Sequence, residues 1–190
     1  MESLLISTGV VALAEIGDKT QLLAFILAAR FKKPLPIILG IFCATIVNHG
    51  LAGALGAWIT SAITPETMRW VLGASFIAMA IWTLIPDKIE EEETQVAKHL
   101  GVFGATLITF FLAEMGDKTQ IATVAMAAKF SSPVLVVMGT TLGMLIADVP
   151  AVFVGDRFSK KIPMKLVHSI AAAMFAIMGI LALLKVDAWL

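Results

Sequence analysis

Glu15-Ile16-Gly17-Asp18-Lys19-Thr20-Gln21 sits inside a long apolar run, and 99 residues later the stretch returns as Glu114-Met115-Gly116-Asp117-Lys118-Thr119-Gln120, again between apolar segments. A charge in hydrocarbon is expensive, so an ionisable residue placed there is a functional candidate by default. On one continuous helix, residues three apart share a face. Glu15 would then look the same way as Asp18, and Glu114 the same way as Asp117. The competing reading is two surface helices, each with an ordinary E-x-x-D pair. The apolar surroundings and the constant offset weigh against it. The two pairs read as the halves of one cation site.

Working outward, the 190 residues are 59% hydrophobic and 15% charged, with a mean hydropathy of +0.93. A soluble domain would carry about 25% charged residues, so the class is an all-α polytopic membrane protein. Net charge is zero, which gives no field to attract nucleic acid. The single cysteine, Cys43, excludes an internal disulfide and reads as a small packing residue. Ala12-Leu13-Ala14 resembles a signal-peptidase site, but Met1-Glu2-Ser3 lacks a positive leader and the apolar run resumes beyond the motif. The first span is expected to be uncleaved.

Hydropathy predicts six transmembrane spans, near 3–29, 35–60, 67–86, 100–129, 134–155 and 166–187. Each approaches or exceeds the ~20 residues needed to cross a bilayer. Pro34 and Pro36 open the second span, Pro65 precedes the third, Pro86 closes it, Pro133 opens the fifth and Pro163 precedes the sixth. The one sizeable polar stretch runs from Asp87 to His99 and holds Glu90-Glu91-Glu92-Glu93; it reads as a solvated linker.

The repeat extends beyond the motif. At the same offset of 99, Ala28-Ala29-Arg30-Phe31 matches Ala127-Ala128-Lys129-Phe130, Pro34 matches Pro133, Gly40 matches Gly139, Gly56 matches Gly155, Phe76 matches Phe175 and Met79 matches Met178. The expected organisation is a first three-helix repeat over 1–86, an acidic linker over 87–99 and a second three-helix repeat over 100–190. An odd number of spans per half inserts the second half upside down. That is the inverted-repeat plan of many secondary transporters, with the site near the midplane. Arg30, Lys32, Lys33, Lys88, Lys98, Arg157, Lys160, Lys161 and Lys165 fall on one side, against Arg69, Lys129 and Lys185 on the other. The richer side is expected in the cytoplasm, with both termini outside. Gly40-x-x-x-Ala44 and Gly139-x-x-x-Gly143 permit close helix approach. They read first as contacts within the fold and second as a dimer face, so monomer and homodimer both stand.

Glu15, Asp18, Glu114 and Asp117 offer oxygen donors, which suit magnesium, calcium and manganese better than zinc or copper. Thr20, Thr119, Gln21 and Gln120 can add neutral oxygens. Gly17 and Gly116 have two readings, a loosened helix that exposes carbonyls or simple close packing. Lys19 and Lys118 also have two: each snorkels to a membrane face, or each pairs with a carboxylate and trims the charge of the site. Four carboxylates and two ammonium groups sum to −2, which one divalent cation or two protons would neutralise. Exchange of one for the other is natural, although coupled carboxylates leave its stoichiometry open. A second layer lies on the second and fifth spans, where Asn48-His49 aligns with Ala147-Asp148. Asp148 is a candidate lysine partner, proton carrier or ligand. His49 is either a packing residue or a relay or ligand. His99, His168 and Asp156 read as interfacial.

Twin E-x-G-D-K-T motifs in two three-span halves resemble a family of small cation/proton antiporters that includes Golgi manganese/calcium transporters and bacterial manganese exporters. The resemblance covers essentially the whole chain. It implies a divalent cation/proton antiporter with Glu15, Asp18, Glu114 and Asp117 as ligands and Thr20 and Thr119 near them. It assigns no role to Lys19, Lys118, Asn48, His49 or Asp148. The short linker and the lack of an N-terminal extension look bacterial, so the expected place is the cytoplasmic (inner) membrane. No cofactor is expected; Mn2+ or Ca2+ would be cargo.

The expectation is thus export of Mn2+ against protons by alternating access. A Ca2+/H+ antiporter and a passive divalent-cation channel are the alternatives, and the channel predicts flux indifferent to a pH gradient. An intramembrane hydrolase lacks a catalytic constellation. A carrier of organic cations lacks an aromatic cage, since Trp58, Trp70, Trp82 and Trp189 fall toward span ends.

Overall fold

The computed structural model describes residues 1–85, 100–154 and 164–184. Among them are eight helices and no strand: α1 (Glu2–Glu15), α2 (Lys19–Phe31), α3 (Pro34–Ala62), α4 (Pro65–Thr83), α5 (Val102–Glu114), α6 (Lys118–Lys129), α7 (Pro133–Val154) and α8 (Met164–Leu183). Proline opens α3, α4 and α7, where its missing N–H costs nothing. Thr64 caps α4 by accepting from Thr67 N at 3.3 Å. Pro150 lies within α7. The acidic linker, Gly155, Asp156, Pro163, Lys185 and Trp189 lie outside the described residues.

Among the described residues, two helices are long and apolar enough to cross a membrane, Pro34–Ala62 and Pro133–Phe153. The first and fourth expected spans differ from expectation. Each is divided at its motif into two shorter helices, α1 with α2 and α5 with α6. The same-face argument for Glu15 with Asp18, and for Glu114 with Asp117, therefore does not hold, because no helical turn connects them.

The packing is exchanged between the halves. α3 lies against α5 and α6, α7 lies against α1 and α2, and α4 lies against α8. Individual contacts recur at the 99-residue offset. A Cβ on Gly40 would stand 2.7 Å from Thr106 Cβ and 3.0 Å from Phe103 O; on Gly139 it would stand 2.5 Å from Leu4 O and 2.9 Å from Ser7 Oγ. Gly143 likewise meets Thr8 O at 2.7 Å, so these small residues serve contacts inside the chain. Phe76 and its counterpart Phe175 stack on one another with centroids 6.5 Å apart.

The surface is oily and the interior holds the polar groups. Leu5, Leu51, Ile81 and Phe153 are exposed, whereas Glu15, Asn48, His49, Glu114 and Asp148 are fully buried. Hydroxyls within helices bond back one turn, as from Thr8 to Leu4 O (2.7 Å), Thr83 to Met79 O (2.8 Å) and Thr123 to Thr119 O (2.8 Å). Such a bond satisfies a hydroxyl where no water reaches it.

Candidate functional site

Each motif breaks its helix by the same local means. After Glu15, Ile16 turns extended, Gly17 takes φ 86°, and Asp18 caps α2. After Glu114, Met115 turns extended, Gly116 takes φ 76°, and Asp117 caps α6. Glycine reaches positive φ without a Cβ penalty. A Cβ on Gly116 would meet nothing within 4 Å, so that glycine is there for its backbone rather than for packing.

The glutamines secure the breaks. Gln21 Oε1 accepts from Gly17 N at 2.9 Å, and Gln120 Oε1 accepts from Gly116 N at 2.8 Å. Their amide nitrogens reach the other half of the molecule: Gln21 Nε2 donates to Ala147 O at 2.8 Å, and Gln120 Nε2 donates to Asn48 Oδ1 at 3.5 Å. Both glutamine oxygens, expected as neutral donors, are thus engaged by backbone. Asp-x-x-Gln has the spacing of a capping box, but each glutamine reaches one residue further back, to the glycine before the capping aspartate.

The breaks bring carboxylates from both halves together. Glu15, Glu114 and Asp117 each present an oxygen within 4.8 Å of the others, and all three are buried. Thr20 Oγ1 donates to Glu15 Oε2 at 2.6 Å, and Thr119 Oγ1 donates to Glu114 Oε2 at 3.1 Å. The lysines cross between halves. Lys118 Nζ is 2.7 Å from Asp18 Oδ2, with both side chains buried. Lys19 Nζ is 3.9 Å from Asp117 Oδ1 and remains 18% exposed. Equivalent pairs in the repeat are therefore unequal, one closed and one loose.

Around this cluster lie α3 and α7. Asn48 Nδ2 donates to Phe111 O at 3.0 Å, which fixes α3 against the end of α5. His49 Nε2 lies 3.9 Å from Glu114 Oε2. Asp148 is fully buried and within electrostatic range of Glu15 and Glu114. Among the described residues, Glu15 Oε1, Glu114 Oε1, both nitrogens of His49 and both oxygens of Asp148 have no hydrogen-bond partner. Buried polar atoms are normally paired. A cluster of unpaired oxygens and nitrogens inside an oily fold has the donor set of a cation site, and hard oxygen predominates.

The family described as "Divalent cation/proton antiporter GDT1" matches residues 3–91 and 102–189. A Vibrio cholerae protein named "Putative manganese exporter" is 48% identical, over 95% of this chain and 90% of its own length. "GDT1-like protein 5" of Arabidopsis thaliana is 27% identical over 93% of each chain. "GDT1-like protein 3" of Oryza sativa subsp. indica is 27% identical over 92% of this chain and 71% of its own. No solved structure matches.

Proposed function

The chain belongs to the GDT1 family of divalent cation/proton antiporters, and from that premise we propose that it exports Mn2+ from the cytoplasm in exchange for protons. The observation that carries the reading is the convergence of Glu15, Glu114 and Asp117 from two broken helices. Manganese is favoured because the Vibrio cholerae relative bears that cargo in its name.

In this reading the cation sits between the two breaks on Glu15, Glu114 and Asp117. Asp18, whose carboxylate meets the Lys118 ammonium, joins when the cation displaces that lysine. Thr20 and Thr119 hold the glutamates in place through their hydroxyls. The six spans form two inverted three-helix repeats, with both termini outside the bacterial cytoplasmic membrane. What supports this plan is the recurrence of Gly40 and Gly139 contacts at the repeat offset and the exchanged packing of α3 and α7. Rocking of one half against the other exposes the site to each face in turn. Outside, protons compete for the same carboxylates and reset it. The unequal lysine pairs give the two states of such a cycle a physical form: the closed pair and the loose pair exchange as the site changes face.

The test is Mn2+ uptake into proteoliposomes with and without an imposed pH gradient. Gradient-dependent uptake that disappears in Glu15→Gln supports the antiporter. Uptake indifferent to the gradient, or undiminished in Glu15→Gln, overturns it.

A further inference from the structure

We infer that His49 is a nitrogen ligand of the transported cation and the residue that sets Mn2+ above Ca2+; this rests on the cation site proposed above. Among the orphaned polar atoms at the site, those of His49 alone are nitrogen. The imidazole is fully buried, and neither ring nitrogen has a hydrogen-bond partner among the described residues. A histidine kept for packing ordinarily pairs at least one nitrogen, because an unpaired buried polar group costs about 1–3 kcal/mol. Its neighbour Asn48 donates to Phe111 O, three residues before Glu114, and so fixes the helix that presents the imidazole.

The spacing fits shared coordination. Mn2+–ligand bonds of about 2.2 Å lie between the magnesium and calcium values. Two ligands at that radius are about 3 Å apart when adjacent and about 4.4 Å apart when opposite. His49 Nε2 and Glu114 Oε2 are 3.9 Å apart, inside that interval.

The repeat shows that the nitrogen is a choice of this half. At the offset of 99, the counterpart of His49 is Asp148, a carboxylate within electrostatic range of Glu15. Asp148 lies within electrostatic range of Glu114 as well, so the site holds one imidazole among carboxylates. Calcium takes oxygen ligands, whereas imidazole suits first-row transition metals. A single imidazole in a carboxylate cage favours Mn2+ without excluding Ca2+.

The experiment uses the full chain in detergent, with Mn2+ and Ca2+ as probes. Binding is measured by calorimetry, and electron spin-echo modulation of bound Mn2+ is recorded with histidine carrying 14N or 15N. The expected result is a histidine-nitrogen modulation in the wild-type protein that is lost in His49→Gln and retained in His168→Gln. The Mn2+ Kd should rise about 10–100-fold in His49→Gln, while the Ca2+ Kd should move less than about threefold. Bound Mn2+ without nitrogen modulation overturns the inference and leaves the cation site standing. That spectrum decides the question even if His49→Gln does not fold. Equal weakening of both metals in His49→Gln also overturns it, since a positioning role would produce that pattern. Wild-type protein that binds neither metal, or Mn2+ binding that survives Glu15→Gln, overturns the proposed site itself.

Discussion

Replacing Lys118 by methionine should destabilise the metal-free protein far more than replacing Lys19, its counterpart in the repeat. Methionine keeps the aliphatic bulk and removes only the ammonium. Lys118 Nζ lies 2.7 Å from Asp18 Oδ2 with its side chain 3% exposed, whereas Lys19 Nζ lies 3.9 Å from Asp117 Oδ1 with its side chain 18% exposed. At an effective dielectric constant near 20, the direct attractions are about 6 and about 4 kcal/mol, and desolvation offsets a large part of each. Water at the looser pair screens it further, toward the ~1 kcal/mol or less of a surface bridge. Removing one partner of a buried pair costs about 3–5 kcal/mol, because the charge left behind loses its compensation. The expected losses are therefore about 3–5 kcal/mol for Lys118→Met and about 1 kcal/mol for Lys19→Met. Equilibrium unfolding in mixed micelles without divalent metal, followed by tryptophan fluorescence, measures both. Adding Asp18→Asn to Lys118→Met should recover most of the loss, since the double variant no longer strands a charge. Equal losses for the two lysines, or no recovery in the double variant, would refute the asymmetry of the pairs.

Gly116→Ala should cost about 1–2 kcal/mol, the penalty of a left-handed backbone for an L-residue, because its Cβ would meet no neighbour. Gly139→Ala should cost about 1–3 kcal/mol by overpacking, since Leu4 O would stand 2.5 Å from the new Cβ; the same unfolding assay compares them. Gln21→Leu removes the acceptor of Gly17 N–H and the donor to Ala147 O. Amide exchange at Gly17 should accelerate about tenfold, by about 1.4 kcal/mol for one lost bond, while mid-α3 amides keep their protection. Asp148→Asn removes a buried carboxylate whose oxygens have no hydrogen-bond partner among the described residues. It should leave metal-free stability unchanged within about 0.5 kcal/mol or raise it, while lowering Mn2+ transport at least about tenfold; a loss of stability would instead mark a structural role.

Much of the candidate site was legible in the chain because the repeat printed it twice. Carboxylates at one constant offset inside apolar runs can be found without coordinates, since their cost in hydrocarbon makes them conspicuous. Composition fixed the helical membrane class for the same reason: a backbone in lipid must satisfy its own hydrogen bonds. What composition could not reveal was the break. Glycine in an apolar run is compatible with an intact helix packed closely on another, and only the positive φ of Gly17 and Gly116 distinguishes the two cases. That Gln21 and Gln120 hold the Gly17 and Gly116 amides was not legible either, because those amides are freed only once the helix ends.

Which lysine meets which aspartate was decided by tertiary structure alone. Lys19 and Lys118 are identical in their motifs, yet each crosses to the other half, and they do so at unequal distances. The repeated motif gives no reason for the two lysine pairs to differ. A fold that leaves one pair more exposed than the other makes them unequal, because the cost of exposing or burying a charge depends on position and not on the motif that carries it. His49 follows the same rule. The sequence named a lone histidine opposite an aspartate in the repeat, and the folding of α3 against α5 placed its ring beside Glu114.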